Sequence, residues 1–187
     1  YLRDVWKKTT DEDALLGVSM TGIPGSYVST LDVKASVEFA KEINREYSEK
    51  VGVNPSKRIT CVKPAGTSSA VLGTSSGIHA WHNDYYLRRM EVLKADAIYE
   101  YMLKKAPAMV EDSVYREEVA YLMFPIKAPE DAPLRTEPAM EFLERVRRFT
   151  EHWVKPGHLD GDNSHNISAT VSLRDEEWEP AKKWMWE

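Results

Sequence analysis

The stretch TCVKPAGTSSAVLGTSSGIH, from Thr60 to His79, decides how this chain is read. Just ahead of it, Arg58-Ile59-Thr60-Cys61-Val62 is rich in β-branched residues and predicts a strand. Pro64 stops that strand, and from Ala65 to Gly77 every residue except Val71 and Leu72 is Gly, Ala, Ser or Thr. A strand, the loop Lys63-Pro64-Ala65-Gly66-Thr67-Ser68-Ser69 and a helix from Ala70 make a layout suited to an anion. Gly66 can take positive φ, and its small neighbours let a ligand approach the backbone. Successive N–H groups form a donor nest, and a helix start adds partial positive charge. Thr67, Ser68 and Ser69 offer hydroxyls, and Lys63 offers a full charge. No Gly-Lys-Ser/Thr closes the loop, so it is not a Walker A sequence. The same composition also describes an ordinary strand-to-helix connection capped by Ser and Thr, and the residues alone leave both readings open.

Working outward, Asp11 to Ile23 reads as an acidic helix start running into a buried apolar segment, closed by the turn Pro24-Gly25-Ser26. The clearest helix has Thr30 as N-cap, an apolar face of Val33, Val37, Ala40, Ile43, Tyr47 and Val51, and Gly52 just past its end. Tyr85 to Val92 predicts a strand, Ala95 to Ala106 a helix stopped by Pro107, and Val119 to Lys127 a strand with Pro125 at an edge or end. Glu137 to Val154 is an amphipathic helix with Met140, Leu143, Val146, Phe149 and Trp153 along one side. A polar loop from Gly157 to Asn166 leads to a strand from Ile167 to Leu173 and a last helix from Asp175. Strands separated by helices predict an α/β layer arrangement with largely parallel strands.

The 187 residues are 42% hydrophobic, enough for one sizeable core. A formal net charge of −5 argues against direct nucleic-acid binding. No apolar run reaches the ~20 residues that cross a bilayer, so no membrane role is expected. The single cysteine, Cys61, excludes an internal disulfide and fits a reducing compartment such as the cytoplasm. The chain opens on Tyr1 and stops inside the last helix, which predicts one segment, 1–187, truncated at both ends.

VKPAGTSSAVLGTSSGIH followed by YYLRR at Tyr85 to Arg89 resembles the adenosylcobalamin-dependent (class II) ribonucleotide reductases of the monomeric, ribonucleoside-triphosphate type. That family has a Lys-Pro-Ser-Gly-Thr loop before a Ser-x-Gly-Ile-His segment and a Tyr-Tyr-x-Arg-Arg strand. GVSMTGI at Gly17 to Ile23, FPIKAPE at Phe124 to Glu130 and NISATVSLRDEEWEPAKKWMWE at Asn166 to Glu187 are similar to further family segments. The resemblance implies the carboxy-terminal part of a ten-stranded α/β barrel. It implies reduction of a ribonucleoside triphosphate by a thiyl radical generated from adenosylcobalamin, with a thioredoxin-type reductant, supplying deoxyribonucleotides for DNA replication. It also implies that Pro64, Ala65, Gly66, Thr67, Ser68 and Ser69 bind the substrate phosphates; beside them, Lys63 is a candidate to line the pocket, and His79 to fix the loop or line the pocket.

Two departures stand out. Ala65 replaces the usual Ser, which removes a hydroxyl but keeps the N–H. The family's Asn-Pro-Cys-Gly-Glu segment and its reducing pair of cysteines are absent, so the resemblance places no catalytic residue in this segment and assigns the thiols to a missing amino-terminal part. Cys61, alternating with Thr60 and Val62, reads as core packing. A non-redox nucleotide-binding module and a structural fragment of a larger enzyme remain the alternatives.

Other candidates carry less. His79, His82 and Asp84 have acceptable metal-ligand spacing but lack a further ligand, so no metal is expected. Arg88 and Arg89 must point to opposite faces of a strand. Glu176 and Glu177 read as helix-start carboxylates favoured by the macrodipole rather than as an acid/base pair.

Overall fold

The acidic run Asp11-Glu12-Asp13 closes a helix instead of opening one. The computed structural model describes residues 1–161 and 163–186, without the side chains of Ser26 and Ser29. Asp162, within the predicted polar loop, and Glu187, at the end of the predicted last helix, lie outside the described residues. In chain order the elements are α1 (Asp4–Asp13), α2 (Ser26–Ser29), α3 (Val33–Val51), α4 (Ser68–Leu72), β1 (Tyr85–Leu93), α5 (Ala97–Lys105), β2 (Val110–Asp112), β3 (Val119–Lys127), α6 (Ala139–Phe149) and α7 (Trp178–Trp186). They fall into two units, one of Tyr1–Ala80 with Arg135–Glu187 and one of Trp81–Leu134.

In the first unit, Ala14 takes a left-handed conformation (φ 43°) and donates its N–H to the Thr10 carbonyl at 2.9 Å. That turn ends α1 and corrects the helix expected from Asp11 to Ile23. The chain then runs extended, and Val18 pairs parallel with Thr60. The Val18 N–H donates to the Ile59 carbonyl at 2.8 Å, and the Cys61 N–H returns to the Val18 carbonyl at 3.0 Å. Between these parallel segments lies α3, so the three form a β-α-β crossover. Asp32, not Thr30, caps α3 by accepting the Ala35 N–H at 3.0 Å, and Gly52 ends it at φ 75° as expected.

On its other side the extended segment pairs Val62 parallel with Ile167 and Arg58 antiparallel with His158. The strand expected from Ile167 to Leu173 does not form: after Ile167 no bridge continues among the described residues, and Val171 is exposed. The expected inward face is not kept, since Ala169 is exposed as well, and alternation in sequence makes no ladder without a neighbouring strand to pair with.

The helix expected from Glu137 to Val154 runs as α6, then a π-helical turn over Thr150–Val154 and a 3₁₀ turn over Lys155–Gly157. Its expected face is correct: Leu143, Phe149 and Trp153 are buried. The core gathers Val37, Val62, Ile78, Phe142, Phe149 and Trp153 from four separate stretches of chain. Fully burying side chains such as Val62 or Ile78 stabilises the fold by about 1.5–3 kcal/mol each before entropy is counted.

The second unit corrects the expectation of largely parallel strands. Its sheet is antiparallel with order β1-β3-β2, registered from Tyr85 opposite Lys127 to Leu93 opposite Val119. The helix between β1 and β2 does mark a crossover, since those two strands run the same way. β3 then folds back as a hairpin from β2 and inserts between them. Met102 of α5 is buried against this sheet. Pro125 pairs only with β1, because β2 stops at the Val110–Leu122 pair and leaves that stretch of β3 a local edge.

Candidate functional site

The segment that delivers the loop is locked from below. The Thr60 hydroxyl donates to the Trp153 carbonyl at 2.6 Å, and the Trp153 indole N–H donates to the Cys61 carbonyl at 2.9 Å. A Cβ on Gly157 would lie 1.8 Å from Thr60 Oγ1, so only glycine fits there. Cys61 is 6% exposed. Burial pushes its thiol up, opposed by the Lys63 charge, which makes it packing rather than a nucleophile.

Above this floor Lys63 leaves the ladder. Its N–H donates to Ser19 Oγ and its ammonium to Asn166 Oδ1, both at 3.0 Å. Pro64, Gly66, Thr67 and Ser68 are exposed, and Ala65 is half-buried. Ser69 is buried, and its hydroxyl donates to the Ala65 carbonyl. That side chain therefore shapes the turn instead of standing open. The Ser69 N–H also turns to Ala65 at 3.3 Å, and those of Ala70 and Val71 to the Thr67 carbonyl, leaving Thr67 and Ser68 at the head of α4. α4 begins two residues before the expected Ala70 and spans five residues.

Gly66 does not use a positive φ. A Cβ there would meet nothing within 4 Å among the described residues. Two other glycines of the stretch have conformational tasks: Gly73 ends α4 at φ 65°, and Gly77 takes φ 57° where a Cβ would lie 2.7 Å from the Lys63 carbonyl. Thr21 holds this returning limb, accepting the Gly77 N–H and donating to the Ser75 carbonyl, both at 2.9 Å. The Ile23 N–H adds a bond to the Gly77 carbonyl at 3.1 Å. Sequence reasoning gave Ser19, Thr21, Gly77 and Asn166 no individual role. The Ser-Met-Thr-Gly run at 19–22 was the available signal, a second small hydroxyl-bearing segment ahead of the first.

His79 closes the loop. Its Nε2 accepts the Thr170 N–H at 2.9 Å, and its Nδ1 faces the Ser76 carbonyl at 3.2 Å, which assigns the proton to Nδ1. Its ring packs on Phe142 at 5.7 Å. Nearby, Arg145 and Glu137 form a mostly buried bidentate pair, and Arg145 also reaches the Ile78 carbonyl at 3.4 Å. The cavity beside His79 is about 60 Å³, too small for a nucleotide, so a ligand would use the loop's open side.

The remaining candidates are placed elsewhere. Glu177 accepts the Arg174 and Ala139 N–H groups at 2.9 and 2.8 Å, capping its own helix start and the first turn of α6. Those bonds, Arg174's first, hold its carboxyl below the usual range. Arg89 pairs with Glu111 at 3.1 Å and lies over the Tyr121 ring, on the opposite sheet face from Arg88. No group of three or more His, Cys, Asp or Glu among the described residues is arranged to hold a metal ion. No described helix is long and apolar enough to cross a membrane.

No protein-family model matches the chain. The adenosylcobalamin-dependent ribonucleoside-triphosphate reductase of Levilactobacillus brevis is 27% identical over 209 residues, taking in 95% of this chain and 27% of that protein. The enzyme of the same name from Lactobacillus leichmannii is 28% identical over 139 residues, 72% of this chain and 18% of the relative. That from Lactobacillus acidophilus is 33% identical over 85 residues, 46% and 11% of the two chains. A crystal structure of a B-12 dependent (class II) ribonucleotide reductase matches with a TM-score of 0.69 at 19% identity, covering 97% of this chain and 29% of that one. The chain therefore resembles one part of these reductases and spans about a quarter of the Levilactobacillus brevis relative's length.

Proposed function

We propose that this chain is a portion of an adenosylcobalamin-dependent ribonucleoside-triphosphate reductase, and that its loop from Pro64 to Ser69 receives the phosphates of the substrate. The observation that carries the reading is the open face of Gly66, where a Cβ would meet no described atom within 4 Å. A glycine that the fold itself does not require, at the exposed tip of a loop anchored on both limbs, is best explained by something outside the chain that comes close to its backbone. Thr67 and Ser68 contribute N–H and hydroxyl donors, and Ala65 an N–H. Ser69 holds the turn through the Ala65 carbonyl. Lys63, bonded to Asn166, keeps a positive charge beside the loop. His79 positions the loop's end through Ser76 and Thr170.

The parallel pairings Val18–Thr60 and Val62–Ile167 support reading the first unit as part of the family's ten-stranded α/β barrel. The radical and reducing thiols are assigned to sequence outside this chain, since Cys61 is buried with its thiol pushed up. Adenosylcobalamin is assigned there too. The groove beside α3, about 530 Å³, is walled by apolar side chains, and two of its few polar residues, Asn44 and Ser56, bond each other, so it suits no corrin with polar amide arms. Thiyl-radical reduction, a thioredoxin-type reductant and a cytoplasmic location belong to the same proposal.

Titration calorimetry of the purified chain tests the loop. Affinity is expected to rise from nucleoside to diphosphate to triphosphate. Gly66→Val should weaken triphosphate binding at least tenfold while leaving the thermal midpoint unchanged. Affinity independent of phosphate number, or indifferent to Gly66→Val, overturns the phosphate role.

A further inference from the structure

The apolar face that periodicity assigns to α3 is only half covered. Its inner flank sends Val33 and Val37 into the core beside the π-helical turn that follows α6. Its outer flank carries Phe39, Ile43, Tyr47 and Val51, a ridge at strict four-residue steps. Of these, Phe39 is 64%, Tyr47 55% and Val51 70% exposed. The facing wall is Leu16 and Val18, themselves 47% and 41% exposed. Together they bound the groove of about 530 Å³, floored by Ile59 and Trp153. Asn44 beneath it is bonded to both the N–H and the carbonyl of Ser56, so the floor offers a polar ligand little. An apolar concavity of this kind, left open, marks an interaction surface.

We infer that this groove is the seat of an amphipathic α-helix from the part of the reductase polypeptide that lies outside this chain. The inference rests on the reading of the chain as a portion of such an enzyme. Three observations select a helix from the same enzyme. A ridge with a step of four residues is the complement of another helix's own four-residue ridge. The π turn and the 3₁₀ turn that follow α6 already lie along the inner flank of α3, so a helix on the outer flank extends an existing layer. The Levilactobacillus brevis relative carries nearly three quarters of its length outside the matched region, since this chain covers 27% of it. Such an enzyme therefore has the chain to supply the missing helix. The occupant presents large apolar side chains at steps of three and four toward Ser36 and Ala40, the small groove residues on either side of Phe39 in sequence.

The test introduces an affinity-tagged chain, with a photo-cross-linking residue in place of Tyr47, into the cells that make it. The cross-linked peptide is identified by mass spectrometry after purification of the native assembly. The expected product joins position 47 to one amphipathic segment of reductase sequence, and Phe39→Lys lowers its yield at least tenfold. A product joining two copies of this chain, a product with an unrelated protein, or no product overturns the inference. Triphosphate binding by the cross-linking chain with Phe39 intact reads out the loop separately: its absence in a preparation that still cross-links sinks the phosphate reading and leaves the groove standing.

Discussion

The carbonyl of Lys63 lies 2.7 Å from where a Cβ on Gly77 would stand, so the two limbs of the small-residue loop pass each other at backbone contact. Gly77 is thus the residue that fixes the loop's shape, while Gly66 leaves its tip open. The two glycines should respond oppositely to the same change. Gly77→Ala forces both a left-handed alanine and a clash, and should lower stability by about 2 kcal/mol or more in urea denaturation. Gly66→Ala should stay within about 0.5 kcal/mol of the parent. Equal losses at the two sites would contradict this division of labour.

Thr60 and Trp153 are tied through a hydroxyl-to-carbonyl bond of 2.6 Å in the core. Thr60→Val keeps the shape and leaves the Trp153 carbonyl without that donor, which should cost about 1–3 kcal/mol. Chemical unfolding followed by tryptophan fluorescence measures it. An unchanged midpoint would mean that the bond contributes nothing.

Glu177 gives the chain a defined acid sensitivity. Its carboxylate accepts two backbone N–H groups, so its folded pKa is depressed. A depressed carboxyl contributes stability that is present above its unfolded value of about 4.3 and is lost as pH falls through the lower folded value. Glu177→Gln should therefore be less stable than the parent at neutral pH, with the gap closing in acid. Thermal melts across pH 3 to 7 report the sign, and a gap that widens in acid would refute the capping role.

His79 should act as a local clasp. His79→Phe keeps the stacking on Phe142 but removes the acceptor for the Thr170 N–H and the donor to Ser76. Hydrogen exchange at the Thr170 amide should quicken about tenfold, equivalent to about 1.4 kcal/mol of lost protection. A global loss of protection, with no excess at Thr170, would assign His79 to general packing instead.

What the sequence discloses and what it hides divide along physical lines. Features set by a residue's own backbone preferences were legible. Gly52 ends α3, Pro107 follows the end of α5, and Pro125 sits where β3 lacks a neighbour. Features set by distant partners were not. Nothing local marks Ala14 as left-handed, and acidic residues at 11–13 suit a helix start better than the end they occupy. The alternation of Ile167 to Leu173 needs a flanking strand to become a ladder, and among the described residues only Val62 answers it. The antiparallel sheet escaped because a helix between two strands reports that they run alike, not that a third will slip between them. In the site, the loop's composition was visible, whereas the division between Ser69, buried in service of the turn, and Thr67 and Ser68, left outside, is set only by the folded path of the loop.

The pairing of Trp81 with Leu134, reinforced by the Trp81 N–H bonded to the Pro133 carbonyl at 2.9 Å, brings the two ends of the second unit side by side. That unit is therefore closed at its neck, with its chain entering and leaving at one place. The first unit is interrupted in sequence between Ala80 and Arg135, yet the gap it must bridge is no wider than one strand pairing. Growth, shrinkage or replacement of the material between Trp81 and Leu134 therefore leaves Lys63 and Asn166, 103 positions apart along the chain, free to keep the same hydrogen bond.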